Sequence, residues 1–145
     1  MVLKSVLEQA KSFLCWDKYP TLNIKLISLN QSVGFFFPPH PEFNTILIFY
    51  QEGIQDFSEA LFLLFHETGH YIQHIDYQKH NQEKRFWELV NSPQNGMKMK
   101  FETEAWENGR NLFQQFIKRK NINVSQLCQQ FEQYQEKCLQ SYQTQ

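Results

Sequence analysis

Leu3, Val6, Leu7, Ala10, Phe13 and Leu14 recur at the three- and four-residue spacing of one helix face, with Lys4, Glu8 and Lys11 between them. This spacing predicts an N-terminal helix. After the Tyr19-Pro20 break the period shortens. From Thr21 to Leu29 the apolar Leu22, Ile24 and Leu26 alternate with Asn23, Lys25 and Ile27, the pattern of a half-buried strand. Val33 to Phe37 predicts a second strand, stopped by Pro38, Pro39 and Pro41 because proline lacks the N–H that a ladder needs. A third strand, nearly continuous in apolar and β-branched residues, runs from Asn44 to Tyr50 and is ended by Gly53. The connections are too short for helical crossovers, so about three strands are expected to form a small, mainly antiparallel sheet.

From there the period returns to that of helices. Asp56 followed by Glu59 has the form of a capping box, and a helix is predicted from about Phe57 to Asp76. Phe57, Leu61, Leu64, Phe65, Thr68, Ile72 and Ile75 share one of its faces. Phe62 and Leu63 lie near the opposite side, so its first turns are apolar nearly all round and the helix is expected to be buried between layers. Gln82 to Val90 reads as a short helix covering the site, with Phe86 and Trp87 as packing residues. After the turn Ser92-Pro93-Gln94-Asn95-Gly96 a long helix spans about Met97 to Lys118. Its stripe is Phe101, Ala105, Gly109, Leu112, Phe113, Phe116 and Ile117. A last helix, about Val124 to Leu139, repeats Val124, Leu127, Cys128, Phe131, Tyr134 and Cys138 at core spacing, with a glutamine-rich face toward water. Its heptads are too few to favour a coiled-coil dimer. The expected fold class is α+β, in a single domain over residues 1–145.

Composition narrows the function classes. A chain of 145 residues with 41% hydrophobic content can bury a core without disulfides. The net charge of −1 and the scattered lysines and arginines give no basic surface for phosphates, so nucleic acid is not expected as a partner. No apolar run approaches the roughly 18 residues that span a bilayer, and the N-terminus reads as a helix instead of an export signal, so a cytoplasmic protein is expected. Cys15, Cys128 and Cys138 are odd in number and contain no C-x-x-C pair, which fits buried structural thiols better than a disulfide framework or a thiolate metal site.

The strongest chemical signal is the run HETGH, residues 66–70. On a helix, residues four apart lie one turn above each other, so the imidazoles of His66 and His70 point the same way and can share one metal ion, with Glu67 beside them. Zinc needs neutral nitrogen ligands and an open position to acidify water, and a neighbouring carboxylate then accepts the proton. That equipment is a hydrolase's. Gly69 inside the motif either permits close approach of a neighbour or is simply tolerated.

Two histidines leave the site half built. His74 continues the same face but stands about 12 Å along the axis from His66, too far to share an ion, and is expected to support the site or face solvent. Asp76 takes the place of the last ligand in the longer H-E-x-x-H-x-x-G-x-x-H/D pattern, but Gln73 stands where that pattern turns on glycine. The better candidate is Glu102, which falls within the apolar stripe of the long helix. A helical wheel puts Phe113 and Gly109 about 20° to either side of it, while Glu104 and Glu107 project into the polar half. A carboxylate on a core face is costly unless it is paired or bound to metal. Glu102 is therefore expected to ligate, and Glu104 to face solvent or brace the site. The alternative is that Glu102 pairs with Arg85 or Arg110.

HETGH, a gap of some thirty residues and then ETEAW opening a helix together resemble the gluzincin branch of the zincin metallopeptidases, and in particular the small ImmA/IrrE-like bacterial enzymes. The resemblance covers mainly residues 44–117. It implies a zincin-like order of helix, small sheet, HExxH helix and glutamate helix, with His66, His70 and Glu102 as zinc ligands and Glu67 as general base. One turn after the ligand glutamate these families often carry Asp or Asn. Here the residue is Trp106, so the hydrogen bond that supports a ligand is expected from elsewhere, Asn108 being one candidate. No helix-turn-helix segment or sensor domain is expected alongside the motif.

The function expected on these grounds is zinc-dependent hydrolysis of a peptide bond, Glu67 moving the proton from water to the leaving amine. The strand from Asn44 to Tyr50 is expected to lie along the cleft as a sheet edge that pairs with an extended substrate. Tyr71, Tyr77, His74, His80 and Arg110 all stay open as the group that stabilises the oxyanion. His40, in the proline-stiffened FFFPPHPEF, is expected to be solvated. The substrate class is a peptide or protein, and the resemblance favours one dedicated cytoplasmic target. The competing functions are an inactive zincin used as a partner-binding module, and a structural helical domain without metal.

Overall fold

In the computed structural model the chain is α+β. The structure describes residues 1–29, 34–40, 43–93, 96–122 and 124–143; for 34–40, 43 and 124 it describes the backbone alone. The described residues form α1 (Lys4–Ser12), a π-helical stretch (Phe13–Lys18), β1 (Leu22–Leu29), β2 (Gly34–His40), β3 (Phe43–Gln51), α2 (Ser58–Lys79), α3 (Glu83–Val90), α4 (Gly96–Lys120) and α5 (Val124–Gln140). Two compact units result, Met1–Glu67 and Thr68–Gln145, and their boundary falls inside α2. No helix among the described residues is long and apolar enough to cross a membrane.

In the first unit, Leu7, Ala10 and Leu14 are fully buried at the spacing read from the sequence, whereas Leu3 is 56% exposed. The helix begins at Lys4, so Leu3 precedes the first turn and its place in the stripe is lost. Leu22 and Ile24 of β1, and Ile46, Ile48 and Tyr50 of β3, alternate into the core as strand residues must. Asp56 caps the start of α2. Its Oδ1 accepts the Ser58 N–H (3.1 Å), the Ser58 hydroxyl (2.6 Å) and the Val2 N–H (2.7 Å).

The sheet order is β1-β3-β2. β2 pairs with β3 antiparallel, but β1 pairs with β3 in parallel, from Leu22 opposite Asn44 to Leu29 opposite Gln51. The antiparallel expectation therefore fails for β1. The chain between β1 and β3, which contains β2, serves as the crossover that a parallel pair needs, in place of a helix. β3 is the central strand, so it has no free edge for a substrate. Pro38 and Pro39 do not stop β2 either: the strand continues to His40, and the register shift between Phe37 and His40 absorbs the two missing N–H donors.

In the second unit every residue of the expected α4 stripe is buried, joined by Glu102 and Trp106. Phe131 of α5 stacks on Phe113 (ring centroids 4.8 Å apart) and meets the edge of Trp106 at 5.5 Å. Trp106 is thus a packing residue between α4 and α5. Asn81 and Asn121 adopt left-handed φ of 56° and 52° just beyond α2 and α4, where asparagine tolerates the turn that ends a helix. The three cysteines form no disulfide among the described residues and are half-buried, not fully buried as expected. Burial raises the Cys15 and Cys128 thiols above their ordinary pKa. Of the turn expected before α4, Gln94 and Asn95 lie outside the described residues, as do Val33, Pro41 and the side chain of His40.

Candidate metal centre

From Ala60 to Tyr71, α2 is buried at every position except the half-buried Leu63, which matches its nearly continuous apolar surface. His66 and His70 stand one turn apart on this uninterrupted helix. Within the second unit the backbones of α2 and α4 touch at Gly69. A Cβ there would lie 1.9 Å from the carbonyl oxygen of Ala105, so only glycine fits. Glu102 lies one turn before Ala105, and the close crossing brings it beside His70. His66, His70 and Glu102 are 7%, 9% and 6% exposed, and their ligand atoms lie within 4.8 Å of one another. This buried group can hold a metal ion.

A residue that the motif reading passed over orients His70. Gln73, 4% exposed, lies three residues on along α2. Its Nε2 donates to the Phe101 carbonyl (2.9 Å) and to Glu104 Oε2 (3.2 Å), two groups that can only accept. The amide oxygen must then face His70 Nδ1, 2.9 Å away, and it accepts that nitrogen's proton. Nδ1 is thereby fixed as the protonated nitrogen. The other ring nitrogen, Nε2, faces Glu102 Oε2, 3.2 Å away. Two imidazole nitrogens with one carboxylate match the donor set of open zinc sites.

The other acidic and basic candidates fall elsewhere. Glu104 is exposed and braces the site through Gln73. The expected alternative partners of Glu102 are engaged otherwise, Arg85 with Glu88 and Arg110 with Glu132. The cation beside Glu102 is Lys98, one turn earlier on α4, at 3.3 Å from Oε1. The sequence signal for Lys98 was its i,i+4 spacing to Glu102; that for Gln73 was a polar residue on the buried face of α2. The hydrogen bond sought from Asn108 comes from Gln73. Asp76 is exposed and outside the cluster. His74, 2% exposed, binds Glu83 of α3 at 3.0 Å and packs on Phe86.

Among the oxyanion candidates, His80 is exposed and bonded to the Asp76 carbonyl, and Tyr71 is buried. Tyr77 lines a cleft of about 290 Å³ together with Arg85, Lys100, Phe101 and Glu104. Burial, with the nearby charges of Glu104 and Asp76, holds its hydroxyl above its ordinary pKa against the opposing pull of Arg85, so it stays a donor. Glu67, next to His66, is itself buried. No family model, no curated protein and no solved structure matches the chain.

Proposed function

We propose that the chain is a zincin-like, zinc-dependent endopeptidase of the gluzincin type, as its resemblance to the ImmA/IrrE-like enzymes implies. The observation that carries this reading is the convergence of His66, His70 and Glu102 from two helices, with the His70 tautomer fixed by Gln73. His66, His70 and Glu102 hold the ion. Zinc in that place supplies a Lewis acid that makes water acidic and polarises a carbonyl. Glu67 accepts the proton of the attacking water and returns it to the amine as the C–N bond breaks. The cleft lined by Tyr77, Phe101 and Glu104, beside Glu102 in the chain, receives part of the substrate chain. The substrate is a peptide or protein, with one dedicated cytoplasmic target as the expected case.

Metal analysis combined with cleavage of fluorescently labelled unfolded casein tests the proposal. About one zinc per chain is expected, lost in His66→Ala, His70→Ala and Glu102→Ala, with Glu67→Gln retaining zinc and losing cleavage. Zinc lost in Glu104→Ala but kept in Glu102→Ala overturns the ligand assignment. Zinc bound without any Glu67-dependent cleavage makes the protein a metal-holding binding module.

A further inference from the structure

The Lys98 side chain is only 12% exposed. Its ammonium donates to the carbonyl oxygens of Leu89 (3.2 Å) and Val90 (2.7 Å), in the last turn of α3, and lies 3.3 Å from Glu102 Oε1. Three acceptors use the three N–H bonds of an ammonium. The ammonium also lies over the Phe101 ring, 5.4 Å from its centroid. A solvated lysine spaced i,i+4 from a glutamate wanders among rotamers and contributes little. Here the cation is anchored from a second helix before it meets Glu102. The two oxygens of one carboxylate consequently have different neighbours, ammonium on Oε1 and imidazole Nε2 on Oε2.

We propose that Lys98 is a positioning residue for the metal centre: by engaging Oε1 it turns Glu102 so that Oε2 alone is presented to an ion. The inference rests on the metal-centre reading given above. It makes the last turn of α3 part of the site's support, because the carbonyls that hold Lys98 also fix where its charge stands. Without the ammonium, Oε1 loses that neighbour and Glu102 can offer both oxygens, which raises the number of donors around the ion.

Cobalt(II) in place of zinc reads this directly, since its visible absorption is strong with four donors and weaker with five. At saturating cobalt, Lys98→Met is expected to lower the molar absorptivity about two-fold, while Lys98→Arg, which keeps a cationic donor, retains the wild-type spectrum. In a Glu102→Gln background the Lys98→Met change should add nothing. A wild-type spectrum no different from free cobalt overturns both this inference and the metal-centre reading. A clear wild-type spectrum that Lys98→Met leaves unaltered overturns the role of Lys98 alone. Circular dichroism checks that each variant folds. Should Lys98→Met not fold, a crystal structure of the zinc-loaded wild type decides: one Glu102 oxygen on zinc with Lys98 on the other supports the inference, and both oxygens on zinc overturn it.

Discussion

Gly69 and Ala105 meet backbone to backbone, with no room for a methyl group between α2 and α4. The contact lies beside His70 in the chain and one turn from Glu102, so the spacing between these two side chains depends on a hydrogen atom standing where any other residue has a carbon.

Gly69→Ala forces the helices apart against backbone, which no rotamer change relieves. The expected cost is about 3 kcal/mol, a fall in Tm of roughly 10 °C, with metal binding weakened even in the fraction that folds. Thermal melts and zinc titration check this; a variant with wild-type Tm and zinc content would show that the helices do not pack this closely.

Gln73→Leu removes the acceptor of the His70 Nδ1 proton and lets the ring choose either tautomer. Zinc affinity is expected to fall about 10- to 100-fold, as measured by competition with a chelating dye. Glu104→Gln still accepts from the Gln73 amide and should change affinity far less. Equal losses in the two variants would contradict the direction of this hydrogen-bond chain.

His74 belongs to the α2–α3 contact, not to the metal group. His74→Phe should therefore keep the full zinc stoichiometry and lower stability by about 1–2 kcal/mol through loss of the Glu83 bond. A variant that loses zinc but not stability would move His74 into the ligand set.

Asp56 gives the first unit a dependence on acid. Burial alone would raise its carboxyl, but hydrogen bonds from the Ser58 hydroxyl and from the Val2 and Ser58 N–H groups outweigh burial and hold it below its ordinary value. A depressed folded pKa contributes stability that is complete above the unfolded value, near pH 4, and is lost as pH falls through the folded value. Asp56→Ala is expected to cost about 1 kcal/mol at pH 7, since the group is largely exposed, and less at pH 2. Denaturant unfolding at the two pH values measures the difference; a gap that widens in acid would reverse the sign.

Helix periodicity was legible because it is local. The α4 stripe and the place of Glu102 within it follow from spacing along one element, and so does the alignment of His66 with His70. The parallel pairing of β1 with β3 was not legible, since it depends on which strand fills the middle of the sheet, and the apolar run of β3 suits a central strand as well as a cleft edge. Gln73 and Lys98 escaped notice for a related reason. Each owes its position to partners on other helices, Phe101 and Glu104 for one and the carbonyls of Leu89 and Val90 for the other, and its spacing within its own helix carries only part of that role. The role of Gly69 stayed open until Ala105 was seen opposite.

The two consecutive prolines in β2 bear on the behaviour of the protein at high concentration. β2 ends the sheet order, and an outermost strand invites a stranger's backbone to dock and extend the ladder into aggregates. Pro38 and Pro39 offer no amide hydrogen to such an intruder, and the slipped pairing between Phe37 and His40 disturbs the regular repeat that a docking strand would have to match. The same pair that interrupts pairing inside the sheet thus guards its border against uncontrolled self-association.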